Sequence, residues 1–257
     1  MEIELKTFSA ELHVHTLLSP CAELEMIPPL IVQEALDRNI DLIAITDHNA
    51  TANIEAVQKA AAGSRLKVLP GMELQTREEV HLLCLFDTLD QAYALQEQVD
   101  RFFPPIPNNP DYFGEQFVVD ATGDFICREE RLLLASIDIG LHEAVEFVGG
   151  LGGLAIPAHV DRKAYGLLEV LGFVPTDVPI DALEISRNVK IAEAPDRFPQ
   201  VRGYPLLQGG DAHRLEELLG ANHFTLARRS VDEIRLALRG VNGRNLKIVR
   251  DGECISR

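Results

Sequence analysis

Apolar runs of strand length alternate with amphipathic stretches of helical period along most of the chain. Residues 7–14 alternate in the strand sense, so His13 and His15, two apart, point to one face. A turn-like segment, 18–25, follows. Pro28 and Pro29 open a helix to about Asn39, with Leu30, Ile31, Ala35 and Leu36 on one face. Residues 41–46 form a continuous apolar run, which suits a strand covered on both faces. That run ends in Asp47-His48-Asn49. A helix over roughly 52–62 closes at Gly63. Residues 67–70 predict a third strand leading into Gly71-Met-Glu73, and 80–86 a fourth.

The alternation then breaks. A helix is expected over 89–103, but 104–110 holds four prolines, which remove donors and restrict their neighbours. Residues 87–136 read as an insertion, a lid or small substrate-selecting subdomain, or else a long crossover. The main domain would comprise 1–86 and 137–257. After the insertion come a helix over 141–148 ended by two glycines, and strands over 154–159, 181–185 and 205–208. Ser230-Val-Asp-Glu233 is a capping box opening the last helix, to about Arg239. Repeated strand–helix units predict an α/β fold with a parallel sheet closed into a barrel.

Composition narrows the function classes. At 257 residues, 46% hydrophobic and 25% charged, the chain is ordinary globular protein. Its net charge of −16 disfavours broad gripping of a long nucleic acid, although metal ions can reverse the sign locally. Cys21, Cys84, Cys127 and Cys254 are scattered, with no C-x-x-C pair, as expected for a reduced cytoplasmic protein. No apolar run is long enough to span a bilayer, and no membrane association is expected.

The chemistry lies in the histidines. Six of the eight, His13, His15, His48, His81, His159 and His213, fall at or near predicted strand ends, with Glu73 and Asp211 among them. In parallel α/β architecture the C-terminal ends of strands gather on one face. Imidazoles mixed with carboxylates suit Zn, Mn or Fe, and a carboxylate can bridge two such ions. His142 and His223 are expected on a helix surface and near an ordinary strand.

The ordered set His-x-His, Thr-Asp-His, Gly-x-Glu, a strand His, Pro-x-His and Asp-x-His resembles the PHP (polymerase and histidinol phosphatase) superfamily. The resemblance runs from His13 to His213 and covers 87–136 poorly. It implies a distorted (β/α)7 barrel, two or three divalent ions and hydrolysis of phosphate esters by metal-activated hydroxide. Carried over by position, it implies that His13, His15, Glu73 and Asp211 hold a first ion. Glu73 then bridges to a second, completed by His81 and His159, and His48 and His213 belong to a third. Asp47 would orient an imidazole from behind. Asp211 and His213 are the candidates for proton transfer, although ligand duty competes. In many relatives the turn after His-x-His supplies another ligand, His or Asp. Here it reads Ser19-Pro-Cys-Ala-Glu-Leu-Glu25, so Cys21, Glu23 or Glu25 would have to serve.

Arg162 and Arg187, close behind strand ends, are candidates for the substrate phosphate, and Arg214 is a weaker one. The expected substrate is a small phosphorylated metabolite or nucleotide. The alternatives are a phosphodiesterase or exonuclease on short nucleic acid, a degenerate metal-binding domain, and an amidohydrolase-type enzyme. The last typically carries a metal-bridging lysine, which is not evident at a strand end.

Overall fold

The computed structural model describes residues 4–249, so Cys254 lies outside the described residues. The elements are β1 (Lys6–Val14), α1 (Pro28–Asp37), β2 (Leu42–Ile45), α2 (Ile54–Ala60), β3 (Lys67–Gln75), β4 (His81–Leu85) and α3 (Leu89–Phe102). They continue with α4 (Pro110–Phe113), β5 (Phe117–Val119), β6 (Phe125–Arg128), α5 (Leu141–Gly150), β7 (Leu154–Pro157), α6 (Leu167–Leu171) and β8 (Leu183–Ser186). The chain then forms α7 (Ala194–Arg197), β9 (Leu206–Gly209), β10 (Asn222–Leu226), α8 (Val231–Leu238) and β11 (Asn245–Ile248). None of the described helices is long and apolar enough to cross a membrane.

Seven strands pair in the order β11-β10-β1-β2-β3-β4-β7, and β8 pairs with β9 separately. Hydrogen bonds close the ring at the end that carries the histidines. Val160 N donates to Glu184 O at 2.9 Å, joining β7 to β8. Ala212 N donates to His13 O at 3.0 Å and His15 N to Ala212 O at 2.9 Å, joining the end of β9 to β1. The seven strands β1, β2, β3, β4, β7, β8 and β9 thus form the expected distorted (β/α)7 barrel.

Two features depart from a uniformly parallel sheet. β4 runs antiparallel between β3 and β7. A tight reversal, Thr76 N to Val80 O, joins β3 to β4 with no intervening helix. β10 and β11 add antiparallel to the start of β1.

Alternation sets the two cores. Leu42 and Ala44 of β2 join Leu69, Leu83, Leu85 and Ile156 on the enclosed face, closed below by Val231 and Ile234 of α8. Ile43 and Ile45 pack outward with buried residues of α1, α2, α3 and α5. Helix α1 buries Ile31, Val32 and Ala35, whereas the predicted Leu30 is 39% exposed, one position off the buried stripe. Ser230 caps α8 by accepting from Glu233 N, but Glu233 does not return the bond. Its carboxylate instead accepts from Ala227 N and from the buried Arg244 guanidinium.

Within residues 87–136, α3 buries Ala92, Leu95 and Val99 in the outer core. Beyond the prolines, α4 and the β5–β6 hairpin lie over the histidine end, held by Asn49 and Asn53. Asn49 Nδ2 donates to Leu133 O and Ala135 O, and Asn53 Nδ2 to Phe117 O.

Candidate metal centre

Six imidazoles and two carboxylates meet at the closed end of the barrel: Glu73, His81 and Asp211 continue the inward alternation of Leu69, Leu83 and Leu207, whereas β1 breaks its own. Ala10 and Leu12 already face the enclosed core. A register shift against β2 between Glu11 and Val14 turns His13 and His15 to that same face. Such irregularities re-aim side chains at functional sites. Glu73 lies within β3 rather than beyond it, and His81 starts β4 rather than ending it. Because β4 is antiparallel, its first residue reaches the same end as the strand ends of its neighbours. His159 and Asp211 have φ of +29° and +46°. Left-handed backbone at such residues costs on the order of 1–3 kcal/mol each, strain that persists where the surroundings over-determine it.

Hydrogen bonds behind the rings fix which nitrogens face inward. Glu184 Oε1 lies 2.9 Å from His13 Nδ1, and a carboxylate only accepts, so Nδ1 carries the proton. Ser19 Oγ accepts from His48 N at 3.2 Å and donates to Asp47 Oδ1 at 2.7 Å. It can then only accept from His15 Nδ1, 2.9 Å away. In the neutral rings both Nε2 atoms therefore present lone pairs, and they face each other at 3.1 Å. Glu73 oxygens stand 3.2 Å from His13 Nε2 and 3.3 Å from His15 Nε2. Asp211 Oδ1 stands 3.3 and 3.4 Å from the same atoms. With both rings neutral, four electron-rich groups converge with no hydrogen among them, an arrangement that protonation of the rings or a bound cation resolves. The donor set His13, His15, Glu73 and Asp211 lies within 4.8 Å, as do His48, Glu73 and His81, and His15, His48 and His213.

The remaining geometry agrees with this fit. Glu73 Oε1 is 2.8 Å from His81 Nδ1 and 3.0 Å from His159 Nε2. His48 Nδ1 comes within 2.9 Å of Glu73 Oε2, but off-axis, so neither atom has a hydrogen-bond partner. Asp211 Oδ1 and His159 Nδ1 are likewise buried without one. Buried polar atoms are normally satisfied, and unpartnered donor atoms turned to one another fit a metal-binding cluster.

Ionisation follows. Burial opposes charge on His13, but Glu184, Glu73 and Asp211 hold it well above the ordinary imidazole range. Burial is likewise outweighed at His15, which Asp211 and Glu73 raise to about 9, and at His48, which Cys21 and Glu73 raise to about 9. Burial wins at His81, lowered to about 4, and at His213, lowered to about 3 with help from His15. Burial would raise Glu73 and Asp211, but the surrounding imidazoles hold both well below the usual carboxylate range. Positive charge in the cluster thus falls on His13, His15 and His48.

Asp47 does not touch an imidazole. It receives Thr16 N, Thr16 Oγ1 and Ser19 Oγ, and reaches His15 only through Ser19. Cys21 Sγ lies 3.0 Å from His213 Nε2, whereas Glu23 turns away to Arg214 and Glu25 is exposed. His142 is exposed on α5 beside Glu146, and His223 is on β10.

Sequence reading missed Glu184 and Glu11. Glu184 holds His13 and also accepts from His159 N. Glu11, pushed up to about 7 by burial, accepts from Gly210 N, Leu219 N and Gly220 N and ties that loop to β1. The available signal was Gly209-Gly210. A Cβ on Gly209 would sit 2.2 Å from Glu184 Cδ, and one on Gly210 2.8 Å from Glu11 Oε2.

Two adjoining cavities open over the cluster, of about 210 and 310 Å³. Both are lined by Cys21, Arg162, Asp211 and His213. The inner one is walled by Tyr165, whose ring stacks on His81 at 4.5 Å, and by Leu134. The outer one is lined by Arg187, Ser186 and Asn188. Arg162 pairs with Asp211 Oδ2 and Arg187 with Glu217.

This architecture has known counterparts. The chain is 32% identical over 101 residues to the 5'-3' exoribonuclease Rnm of Salmonella typhimurium, covering 35% of this chain and 33% of that protein. Its fold superposes on the lesion-specific endonuclease PfuEndoQ from Pyrococcus furiosus with a TM-score of 0.72 at 21% identity, covering 94% of this chain and 58% of that one. A structure of Endonuclease Q with a 27-mer duplex substrate bearing an abasic lesion gives a TM-score of 0.67 at 20% identity, covering 93% and 58%. The chain spans about a third of the curated relative and little more than half of the endonuclease chains. Residues 11–143, just over half of its length, match the PHP domain, and the chain belongs to the PHP domain family.

Proposed function

We propose that this protein hydrolyses a phosphate ester of a small phosphorylated metabolite or nucleotide, using two to three divalent ions drawn from Mn, Fe or Zn. The observation that carries this reading is the convergence of lone pairs from His13, His15, Glu73 and Asp211. In this reading those four hold one ion. Glu73 also serves a second with His81 and His159, with His48 close enough to join it, and His48 and His213 serve a third. Bound divalent ions supply Lewis-acid charge and a nucleophilic water near neutral pH.

The chain's own residues then do the rest. Glu184 keeps the His13 lone pair inward, and Ser19, backed by Asp47, does so for His15. Arg162 and Arg187 bind phosphoryl oxygens at the mouth, and Tyr165 and Leu134 exclude water from the inner cavity. As an ion holder, His213 has no free lone pair for a proton, since its Nδ1 proton goes to Asp211 O, whereas Asp211 keeps Oδ2, paired with Arg162, as the oxygen able to take one.

Cavities of this size suit a mononucleotide or sugar phosphate, and the −16 net charge repels a long polyanion. The names of the exoribonuclease and endonuclease relatives favour a second reading, cleavage at the end of a short nucleic acid. The test is hydrolysis of nitrophenyl phosphate monoester and diester, mononucleotides and short oligonucleotides by ion-loaded protein, beside an amide and a lactone. Turnover of phosphate esters alone, abolished in a folded H13A variant, supports the proposal. Turnover of the amide or lactone alone, or retained activity in H13A at saturating metal, overturns it.

A further inference from the structure

We infer that Cys21 supplies a sulfur ligand to the third ion position, making that position chemically softer than the other two. The inference rests on the proposal that ions bind this cluster, and it concerns the position that His48 and His213 share. His15 Nε2 is committed to the first donor set, which leaves two imidazoles and a need for another donor.

The His213 contact and the backbone ties of the turn bring the sulfur to that place. His213 Nδ1 is 2.9 Å from the carbonyl oxygen of Asp211 and can only donate to it, so the Nε2 lone pair points away from Asp211 O. What it meets is Cys21 Sγ, at 3.0 Å. His48, 4% exposed, lies beside His213 with ring centroids 6.0 Å apart and turns its Nδ1 to Glu73 Oε2. The backbone also ties the two segments together, since Glu23 N donates to His213 O at 2.9 Å and Ala22 N to Ser19 O at 2.9 Å. The turn is clamped from outside. Gly114, at φ +102°, lets the insertion pass so close to Pro20 that a Cβ would sit 2.2 Å from the Pro20 carbonyl oxygen.

Zinc bonded to sulfur at about 2.3 Å and nitrogen at about 2.0 Å in tetrahedral geometry separates them by roughly 3.5 Å. Cys21 is exposed and lines both cavities, so its side chain has room to open by that margin. Of the other described cysteines, Cys84 is buried in β4 and Cys127 is exposed on β6. Thiolate favours zinc over manganese or magnesium. The third position therefore selects a thiophilic ion, and Cys21 makes the cleft sensitive to oxidation.

The experiment titrates the ion-free full chain with cobalt(II), reading ions bound per chain and the near-ultraviolet thiolate-to-cobalt charge-transfer band, then repeats it with C21S and C21D. The expected result is three ions and a band in the parent. C21S should lose the band and at least tenfold in affinity for one ion only. C21D should regain that ion without the band and shift its preference toward manganese. Three ions with no band in the parent, or a band that survives in C21S, overturns the role of Cys21 while leaving the metal centre standing. No bound ion in the parent overturns the metal centre and this inference together.

Discussion

Replacing Glu184, a residue that touches no ion in the proposed arrangement, should weaken one class of ion site selectively. Its Oε1 accepts from His13 Nδ1 at 2.9 Å and from His159 N at 3.0 Å. A hydrogen bond to a charged group is worth about 1.5–3 kcal/mol. At 1.36 kcal/mol per decade that is roughly 10- to 150-fold in the affinity that depends on His13 pointing correctly. Loss of a partner behind a ligating histidine typically weakens metal affinity about 10- to 100-fold, so the two routes agree. E184A should therefore weaken the site that His13 serves by about 10- to 100-fold. E184Q keeps an acceptor oxygen but loses the charge, and should weaken it by about tenfold or less. E184A also strands the His159 N–H, at about 1–3 kcal/mol, or roughly 2–4 °C of melting temperature per kcal/mol for a chain of this size. The assay is competition between ion-free protein and a chromophoric chelator at fixed pH and ionic strength, with melting curves of the same samples. Affinities of E184A within twofold of the parent at every site would refute the reasoning, as would equal losses at all sites.

G209A should reproduce much of the E184A phenotype, because its Cβ would lie 2.2 Å from Glu184 Cδ. Overpacking of this kind costs about 1–3 kcal/mol, readable as a lower melting temperature together with the same single-site affinity loss. In ion-free protein, His15 and His48 are raised to about 9 and His13 is raised as well. Their stabilisation is full below the unfolded pKa of about 6.5 and is lost as pH rises through about 9. Melting temperature of the chelator-treated protein should therefore fall between pH 6.5 and 9, and a flat profile would contradict the assigned charges. Metal must displace those same protons, so apparent ion affinity should climb over that interval and level off above about 9. R162A should raise KM for nitrophenyl phosphate about tenfold or more while leaving the number of bound ions unchanged, as expected for loss of a charged hydrogen bond to substrate. Replacing the β5–β6 hairpin with a short turn should change the specificity profile across a panel of phosphorylated metabolites and nucleotides, and an unchanged profile would remove a selecting role from that segment.

Local pattern carried a large share of this protein. Strand and helix positions follow from periods of two and 3.6 residues, which depend only on neighbours in the chain. So do the pairing of His13 with His15 on one face and the succession of motifs ending at Asp211-Ala-His213. Those motifs were enough to indicate the barrel and the cluster. Other features depended on contacts between residues far apart in sequence. The register shift in β1 is expressed only against β2. The antiparallel setting of β4 makes His81, at the start of its strand, meet Glu73. Glu184 reaches His13 across 171 positions, and Cys21 reaches His213 across 192. A glutamate within a strand and a cysteine in a turn look ordinary in the linear chain. The physical reason is that face and period are properties of one segment, whereas a hydrogen bond or a shared ligand position is a property of two segments whose separation only the closed barrel determines.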